Sequence, residues 1–278
     1  MDNDFGKPYD KLQKKYEELV DYLKTLKSVA VAFSGGVDSS FLLYASIQAL
    51  GSGTAAITAI SKIFPEREEK EASELCRRFG VRQITVPHDE MKLEAFTSNP
   101  PDRCYICKKD LFSQFLKTAE SEGFLRVAEG SNLDDEGDYR PGMRAVSELG
   151  ILSPLRRIGF TKKEIRCLCR HFDIPVWDKP SYACLASRFP YGEEITSEKL
   201  RMVEMGEQLL IDQGFRQMRV RIHGNVARIE LDPKDFERFM TPETRKKVCN
   251  EFKKIGFSYT ALDISGYRTG SMNETLGR

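Results

Sequence analysis

The 278-residue sequence lacks a long apolar run and an excess of either charge. No apolar stretch approaches the roughly 20 residues that a membrane-spanning helix needs, and the polar, charged start of the chain, residues 1–15, has no signal-peptide pattern. Lys and Arg number 43 against 42 Asp and Glu, which gives no general reason to expect a polyanionic partner. We therefore expect a cytoplasmic protein with no membrane and no nucleic-acid partner.

The hydrophobic fraction and the cysteines limit the class of protein further. Hydrophobic residues make up 40% of the chain, enough for a sizeable core, so global disorder is not expected. Seven cysteines in a cytoplasmic chain should be reduced thiols, metal ligands or catalysts rather than disulfides. Only three histidines are present, and none is placed by spacing to complete a zinc site: His88, His171 and His223.

Strand and helix patterns alternate along the first two-thirds of the chain. An amphipathic helix ends near Leu26, and the apolar strand 29–33, a helix over 39–50 and the strand 55–60 follow. A helix over 65–80, strand 83–86, helix 108–121 and strand 125–128 continue the alternation. This order predicts an α/β fold with an open parallel sheet covered on both faces.

The pattern changes after Trp177, where the chain becomes irregular and rich in Pro and Ser. Thr196 caps a helix that reaches about residue 213, and strands 217–223 and 226–231 form a hairpin. More helix and a last strand over 259–264 complete a smaller α+β domain. We place the boundary near residue 190, which gives domains 1–190 and 191–278.

A glycine-containing loop joins the first strand to the next helix. Its glycines let backbone N–H groups approach an anion, its serines add hydroxyl donors, and the helix N-terminus adds positive potential. No lysine follows the second glycine, so this is not the loop that grips the terminal phosphate in kinases and GTPases. Asp38 could hold a divalent ion between phosphates; an ordinary serine-glycine turn is the alternative. The predicted phosphate loop comprises Ser34, Gly35, Gly36, Val37, Asp38, Ser39 and Ser40.

A second segment, residues 129–135, follows a strand at its carboxyl end, where open α/β sheets bind ligands. Asp134 or Asp135 could bind Mg²⁺, and Arg140 or Arg144 could meet a phosphate, although an acidic solvated loop would show the same residues. The nucleotide contacts that we predict outside the phosphate loop are Ser61, near the base, and Gly130, Asn132 and Arg140.

The phosphate loop resembles that of the N-type ATP pyrophosphatases, which include GMP synthetase, NAD synthetase, asparagine synthetase and tRNA thiolation enzymes. The resemblance implies the adenine nucleotide alpha hydrolase-like (PP-loop) fold. It also implies ATP and Mg²⁺ as cofactors, cleavage of ATP between its α and β phosphates, and an adenylated substrate.

Cys104 and Cys107 lie three residues apart in a proline-stiffened loop just before a predicted helix. This spacing lets both sulfurs reach one metal centre, while a redox dithiol or a coincidental pair are the alternatives. The other helical cysteines are expected to be packing residues; they are Cys76, Cys167, Cys169 and Cys249.

Polar residues alternate with apolar ones along the predicted strand 217–223, so Arg219 and Arg221 share a face. Arg228 and Glu230 share a face of the partner strand. Two adjacent arginines suit a phosphate, but the residues alone favour a solvated sheet face with cross-strand ion pairs.

The segment 179–188, with Cys184 at its centre, is the most specific part of a second resemblance. Together with the phosphate loop and the arginine pair, it resembles the LarE family of ATP-dependent sulfur transferases over nearly the whole chain. The resemblance implies that carboxylates of pyridinium-3,5-biscarboxylic acid mononucleotide are adenylylated and become thiocarboxylates during nickel-pincer nucleotide synthesis. It assigns the substrate phosphate to Arg219 and Arg221, with Glu207 and Glu230 nearby, and catalysis to Asp38 and Cys184.

Two forms of sulfur delivery occur in that family, and both stay open here. In one, the cysteine at the position of Cys184 gives up its own sulfur and becomes dehydroalanine. In the other, three thiolates hold a 4Fe–4S cluster, and Cys104 and Cys107 make this chain resemble that form. The resemblance also implies a homo-oligomer, a hexamer. A tRNA thiolation enzyme is the alternative enzyme, and a non-catalytic iron–sulfur or nucleotide sensor is the alternative of another class.

Overall fold

A computed structural model describes residues 6–137, 141–180, 183–268 and 271 of the chain. No helix among these residues is long and apolar enough to cross a membrane. The helices are α1 (Gly6–Lys24), α2 (Val37–Leu50), α3 (Glu66–Phe79), α4 (Glu94–Thr97), α5 (Arg103–Ser121), α6 (Gly142–Glu148), α7 (Pro154–Ile158), α8 (Lys162–His171), α9 (Ser197–Asp212), α10 (Phe236–Phe239) and α11 (Pro242–Ile255). The strands are β1 (Val29–Ala32), β2 (Thr54–Ile60), β3 (Arg82–Pro87), β4 (Val127–Ala128), β5 (Met218–His223), β6 (Val226–Leu231) and β7 (Tyr259–Leu262).

The chain divides into two compact units, which are described separately. Unit 1 comprises residues 1–61, 66–88 and 104–181, and unit 2 comprises residues 62–65, 89–103 and 182–278.

Unit 1 is built on a parallel sheet in the order β3-β2-β1-β4. Its central strands are short and buried, as expected for a sheet covered on both faces. The α/β prediction is therefore confirmed. Because β1 pairs with β2 on one side and with β4 on the other, the loops that follow β1 and β4 leave the same edge at a reversal of strand order. Open α/β sheets bind ligands at such a point.

The core of unit 1 forms between the sheet and its helices. The apolar face of α1 places Leu19 and Leu23, both fully buried, against α2 and its neighbours. Most residues of α2 from Val37 to Ser46 are buried. This packing holds the start of α2, and with it the phosphate loop, in a fixed position.

The start of α5 differs from the prediction. The helix begins at Arg103 rather than at residue 108, because Arg103 donates its N–H to the Pro100 carbonyl and no helix breaker follows Pro101. Cys104 and Cys107 thus lie in the first turn of a helix, not in a loop before it. Residues three apart on a helix lie on one face, so the pair still faces a common direction.

Unit 2 contains the antiparallel hairpin β5-β6, with β7 parallel to β6 at the other edge. The hairpin turn at Gly224 and Asn225 is as predicted, and Gly224 has a positive φ of 58° that suits it to the turn. Thr196 caps α9 by accepting a hydrogen bond from the Lys199 N–H. The smaller α+β fold predicted for this part of the chain is confirmed.

Candidate functional site

The phosphate loop joins β1 to α2. Gly35 has a φ of 67°, and a Cβ atom on it would lie 3.2 Å from the Cα atom of Ala72 on α3. Gly36 is the N-cap of α2 and supplies no side-chain cap, so the first N–H groups of α2 keep no side-chain acceptor at that position. A helix N-terminus of this kind is an anion site. Inside the loop, the Ser39 hydroxyl donates to the Gly36 carbonyl at 3.2 Å and contacts the Ser34 hydroxyl at 3.2 Å.

The loop after β4 approaches the phosphate loop closely. A Cβ atom on Gly130 would lie 2.9 Å from the Ser39 backbone nitrogen, so only glycine fits without displacement. Asn132 shapes this second loop because its side-chain oxygen accepts the Asp134 N–H at 3.0 Å. Its own N–H donates to the Asp135 carboxylate at 2.9 Å. The two loops therefore lie close together at Gly130 and Ser39, while Arg140 lies outside the described residues.

Asp38 combines a paired and an unpaired carboxylate oxygen. One oxygen accepts a hydrogen bond from the Lys162 ammonium group, and the other is buried with no hydrogen-bond partner among the described residues. The Lys162 backbone N–H donates to the Asp134 carboxylate at 2.8 Å. Lys162 thus connects two of the acidic residues that the sequence indicated for Mg²⁺.

A divalent cation fits this donor set. Mg²⁺ takes carboxylate oxygens and hydroxyl groups, and Asp38 offers an unsatisfied buried acceptor. The Ser40 hydroxyl, fully buried two residues later, also has no partner among the described residues. Ser61, at the end of β2, is buried as well, and its N–H donates to Glu69 at 3.3 Å.

The three cysteines of the proposed cluster occupy two units. Cys104 is half-buried and Cys107 buried in unit 1, and Cys184 is half-buried in unit 2. Among the described residues, no group of three His, Cys, Asp or Glu side chains is arranged to hold a metal ion. The chain therefore offers two adjacent thiols on α5 and a third on another unit, rather than a formed three-ligand group.

The Cys184 segment is fixed by a buried arginine of unit 2. Arg188 donates from one nitrogen to the carbonyls of Ala183 at 2.8 Å and Cys184 at 3.2 Å. Its other nitrogens form a two-point pair with Glu207, at 2.8 and 2.9 Å. Burial raises the pKa of the Glu207 carboxyl, but the Arg188 guanidinium outweighs burial and holds that pKa below its usual value.

The polar face of β5 is covered rather than solvated. Arg219 and Arg221 are 3% and 5% exposed, so the expectation of a solvated sheet face was wrong; the packing of other unit 2 segments over the strand could not be seen from its alternation. Arg221 pairs with Glu230 at 2.9 Å and donates to the Ser187 carbonyl at 2.9 Å. The guanidinium group of Arg219 lies 5.0 Å from the centre of the Tyr267 ring.

Several charged side chains of this region are buried together. Its ion pairs involve Arg188, Arg221 and Arg228 with Glu207, Glu230 and Asp263, and Arg219 lies on the same strand face as Arg221. Burial lowers the pKa of both Arg219 and Arg221 below the usual arginine value. The Arg221 Nε atom is buried without an acceptor among the described residues. An added anion would offset part of the cost of burying these arginines.

Two relatives match this chain over nearly its full length, although no family model matches it. An uncharacterized protein of Synechocystis sp. is 38% identical over 95% of this chain and 99% of its own. The pyridinium-3,5-bisthiocarboxylic acid mononucleotide synthase of Lactiplantibacillus plantarum is 35% identical over 95% of this chain and 96% of its own. The chain belongs to the LarE family. A shorter similarity, 28% identity over 34% of this chain and 35% of the relative, connects it to the NH(3)-dependent NAD(+) synthetase of Staphylothermus marinus.

For this LarE-family chain, membership implies an ATP-dependent enzyme, as the phosphate loop indicated. Its remaining cysteines mostly pack. Burial raises the pKa of the Cys76 and Cys169 thiols to about 12, which makes them poor ligands at neutral pH. Cys249 is exposed on α11, so the packing role expected for it was wrong. The helical pattern predicted that Cys249 lies on a helix, but it did not show which face of the helix the side chain occupies.

Three residues that contact candidate site residues or the backbone around them were missed by sequence reasoning: Lys162, Lys179 and Arg188. Lys162 had a usable signal, because it directly follows Thr161, whose capping box with Glu164 fixes where α8 starts. Arg188 stood in the recognised segment 179–188 without an assigned role. Lys179 stood there too, and its contacts depend on α3, which is distant in sequence.

Proposed function

We propose that this chain is an ATP-dependent sulfur transferase of nickel-pincer nucleotide synthesis. It adenylylates the carboxylates of pyridinium-3,5-biscarboxylic acid mononucleotide and converts them to thiocarboxylates. The observation that carries this proposal is the 35% identity to the Lactiplantibacillus plantarum synthase, which covers 95% of this chain. The phosphate loop at the strand-order reversal supports the ATP-dependent half of the reaction.

In the first half-reaction a substrate carboxylate oxygen attacks the α phosphorus of ATP, and pyrophosphate leaves. The α2 N-terminus and the hydroxyl groups of Ser39 and Ser40 bind the pyrophosphate oxygens. Asp38, with Asp134 or Asp135, would hold Mg²⁺, which would supply positive charge to stabilise the leaving pyrophosphate. Activation must come first because a carboxylate is a poor electrophile, whereas AMP is a good leaving group.

In the second half-reaction sulfur replaces AMP on the acyl carbon. We propose that Cys104, Cys107 and Cys184 would hold a 4Fe–4S cluster on three thiolates, and the fourth iron, without a protein ligand, would bind the sulfide that is transferred. Transfer of the sulfur atom of Cys184 itself is the alternative. Other residues of the chain act outside this step. Arg188 fixes the carbonyls around Cys184, and the phosphate loop binds the nucleotide.

The substrate phosphate is proposed to bind in unit 2 at Arg219 and Arg221. The two buried arginines and the Arg221 Nε atom, which has no acceptor among the described residues, support an anion there. Glu230 neutralises part of Arg221, and Glu207 acts through its pair with Arg188 rather than on the substrate. We keep the division into an ATP pyrophosphatase domain, 1–190, and a substrate-binding and oligomerisation domain, 191–278. A homo-oligomer, a hexamer, is also proposed, and light scattering would measure it.

The nature of the nucleotide product tests the ATP chemistry. Purified protein, MgATP and the mononucleotide should yield AMP and pyrophosphate, which chromatography separates from ADP and phosphate. ADP as the main product would contradict the proposal.

Metal analysis tests the sulfur chemistry. After anaerobic purification we expect iron and sulfide bound to the wild-type protein and lost in Cys104→Ala, with Cys249→Ala as the matched control that keeps both. A wild-type protein without iron, together with a mass loss of hydrogen sulfide at Cys184 after one turnover, would favour the sacrificial reaction.

A further inference from the structure

A partly buried lysine, Lys179, contacts the phosphate loop from the side of α3. Its ammonium group donates to the Gly35 carbonyl at 3.2 Å, to Glu68 at 2.8 Å and to Glu71 at 2.7 Å. The Lys179 side chain is 11% exposed. Because an ammonium group has three N–H donors, these contacts use all of them.

The local charges argue against direct binding of a phosphate by Lys179. Glu68 and Glu71 offset the charge of Lys179, and Arg67 lies 3.7 Å from Glu68. Two cations and two carboxylates leave no net charge to attract an anion. Burial lowers the pKa of Lys179, but the two carboxylates outweigh burial and hold the pKa above its usual value, so the ammonium form persists at neutral pH.

The contact with Gly35 has a direct consequence for the anion site. A trans peptide carries its carbonyl and its N–H on opposite edges of one plane, so the bond to the Gly35 carbonyl fixes the direction of the Gly36 N–H. A charged donor on that carbonyl also polarises the peptide and strengthens the N–H as a donor. Glycine at position 35 restricts its own backbone conformation very little. The hydrogen bond from Lys179 supplies the restraint that the glycine lacks.

Lys179 is itself held firmly. Arg166 on α8 donates to the Lys179 carbonyl at 2.7 Å and to the Trp177 carbonyl at 2.6 Å. Pro180 follows and restricts the Lys179 backbone to extended conformations. The α3 helix that carries Glu68 and Glu71 also presents Ala72 to Gly35. The loop is thus contacted by the backbone of α3 and by a lysine anchored to α8.

We propose that Lys179 is a positioning residue for the phosphate loop. Clamped by Glu68 and Glu71, it holds the Gly35–Gly36 peptide so that the Gly36 N–H faces the pyrophosphate. This inference rests on the proposed function insofar as the anion is the pyrophosphate of ATP.

The test compares Lys179→Met and Lys179→Arg with Lys70→Met. This control removes a lysine from an exposed pair on α3, the helix that carries Glu68 and Glu71. Inorganic pyrophosphate and AMP are titrated separately by calorimetry. Lys179→Met should weaken pyrophosphate binding roughly 10- to 100-fold and change the AMP affinity less than about twofold. Lys179→Arg should recover most of the loss, and Lys70→Met should match the wild type.

Hydrogen exchange of the ligand-free protein tests the support independently of any ligand. Residues 34–40 should exchange faster in Lys179→Met than in the wild type and the control. If that variant does not fold, Glu71→Gln, which keeps the lysine, should show the same two effects at smaller size. Unchanged exchange, or faster exchange with unchanged pyrophosphate affinity, would overturn the proposal. If the wild-type protein fails to bind pyrophosphate, the proposed function is wrong. The hydrogen-exchange result then tests on its own whether Lys179 positions the phosphate loop.

Discussion

Both units bury charged side chains, and one buried atom in each unit can be compared with the other. In the phosphate loop of unit 1, the carboxylate oxygen Asp38 Oδ1 has no hydrogen-bond partner among the described residues. In unit 2 the guanidinium nitrogen Arg221 Nε has none among them. A spare acceptor suits a cation and a spare donor suits an anion, so each of these two atoms lacks the kind of partner that its proposed ligand would bring.

Saturated pairs stand beside these unsaturated groups in both units. In unit 1 Lys179 uses all three donors, and in unit 2 the Arg188–Glu207 pair uses both carboxylate oxygens and several guanidinium donors. A group whose polar atoms all have hydrogen-bond partners has a structural role. A group with a buried polar atom that lacks a partner is the better candidate to bind a ligand. This distinction separates Glu207 from Asp38, two acidic residues that the sequence could not rank.

The largest effect is expected at Asp38. Asp38→Ala removes the spare acceptor, so pyrophosphate release should fall by roughly 100- to 1,000-fold. The unfolding free energy should change by no more than about 1 kcal/mol, because the Asp38–Lys162 pair is partly exposed. Release of AMP and pyrophosphate is measured beside denaturant unfolding, with Asp21→Ala, at an exposed pair on α1, as the control. An active Asp38→Ala enzyme would break the link between spare acceptors and the cation.

At Glu207 we expect a stability effect instead. Glu207→Gln leaves the buried Arg188 charge without its partner, which should cost about 3–5 kcal/mol of unfolding free energy. Glu251→Gln, in an exposed pair, should cost less than about 1 kcal/mol. Because the folded pKa of Glu207 is depressed, its contribution is complete above roughly pH 4.3, the unfolded value, and is lost as pH falls through the folded pKa. Urea titrations at several pH values should show this acid-dependent contribution in the wild type and in Glu251→Gln but not in Glu207→Gln; equal stability of both variants would show that the pair is not structural.

Much of unit 1 could be predicted because its signals are local. The strand 29–33, the glycines that follow and the start of α2 are adjacent in sequence, so the phosphate loop and its position at the sheet edge follow from periodicity and turn chemistry. The capping box at Thr161 was equally local. Lys179 was out of reach because its partners lie on α3, more than 100 residues earlier.

Unit 2 was predicted less well for a physical reason. Alternation along β5 gives which side chains share a face, but not whether that face is covered. Covering depends on residues remote in sequence, since Ser187 and Ser271 both contact Arg221. The start of α5 failed differently: the prolines at 100 and 101 were taken to extend the loop, yet a helix can begin directly after them.

The arginine pair should show the smallest effect and the most selective one. Arg219→Ala and Arg221→Ala each remove a buried cation that is proposed to bind the substrate phosphate, so the affinity for the mononucleotide should fall roughly 10- to 100-fold, as for a lost charged hydrogen bond. ATP affinity should stay within about twofold, because the phosphate loop belongs to unit 1.

Each ligand is titrated against each variant, with Arg238→Ala, a partly exposed arginine of unit 2, as the control. Arg221→Ala also removes one of the two arginine partners of Glu230, so its melting temperature must be measured and Arg219→Ala carries more weight. Equal loss of both affinities would mean that the pair supports the fold in general, and loss of neither would return it to an internal ion-pair role. A loss confined to the mononucleotide would show that the spare donors of unit 2 bind the anion of the substrate.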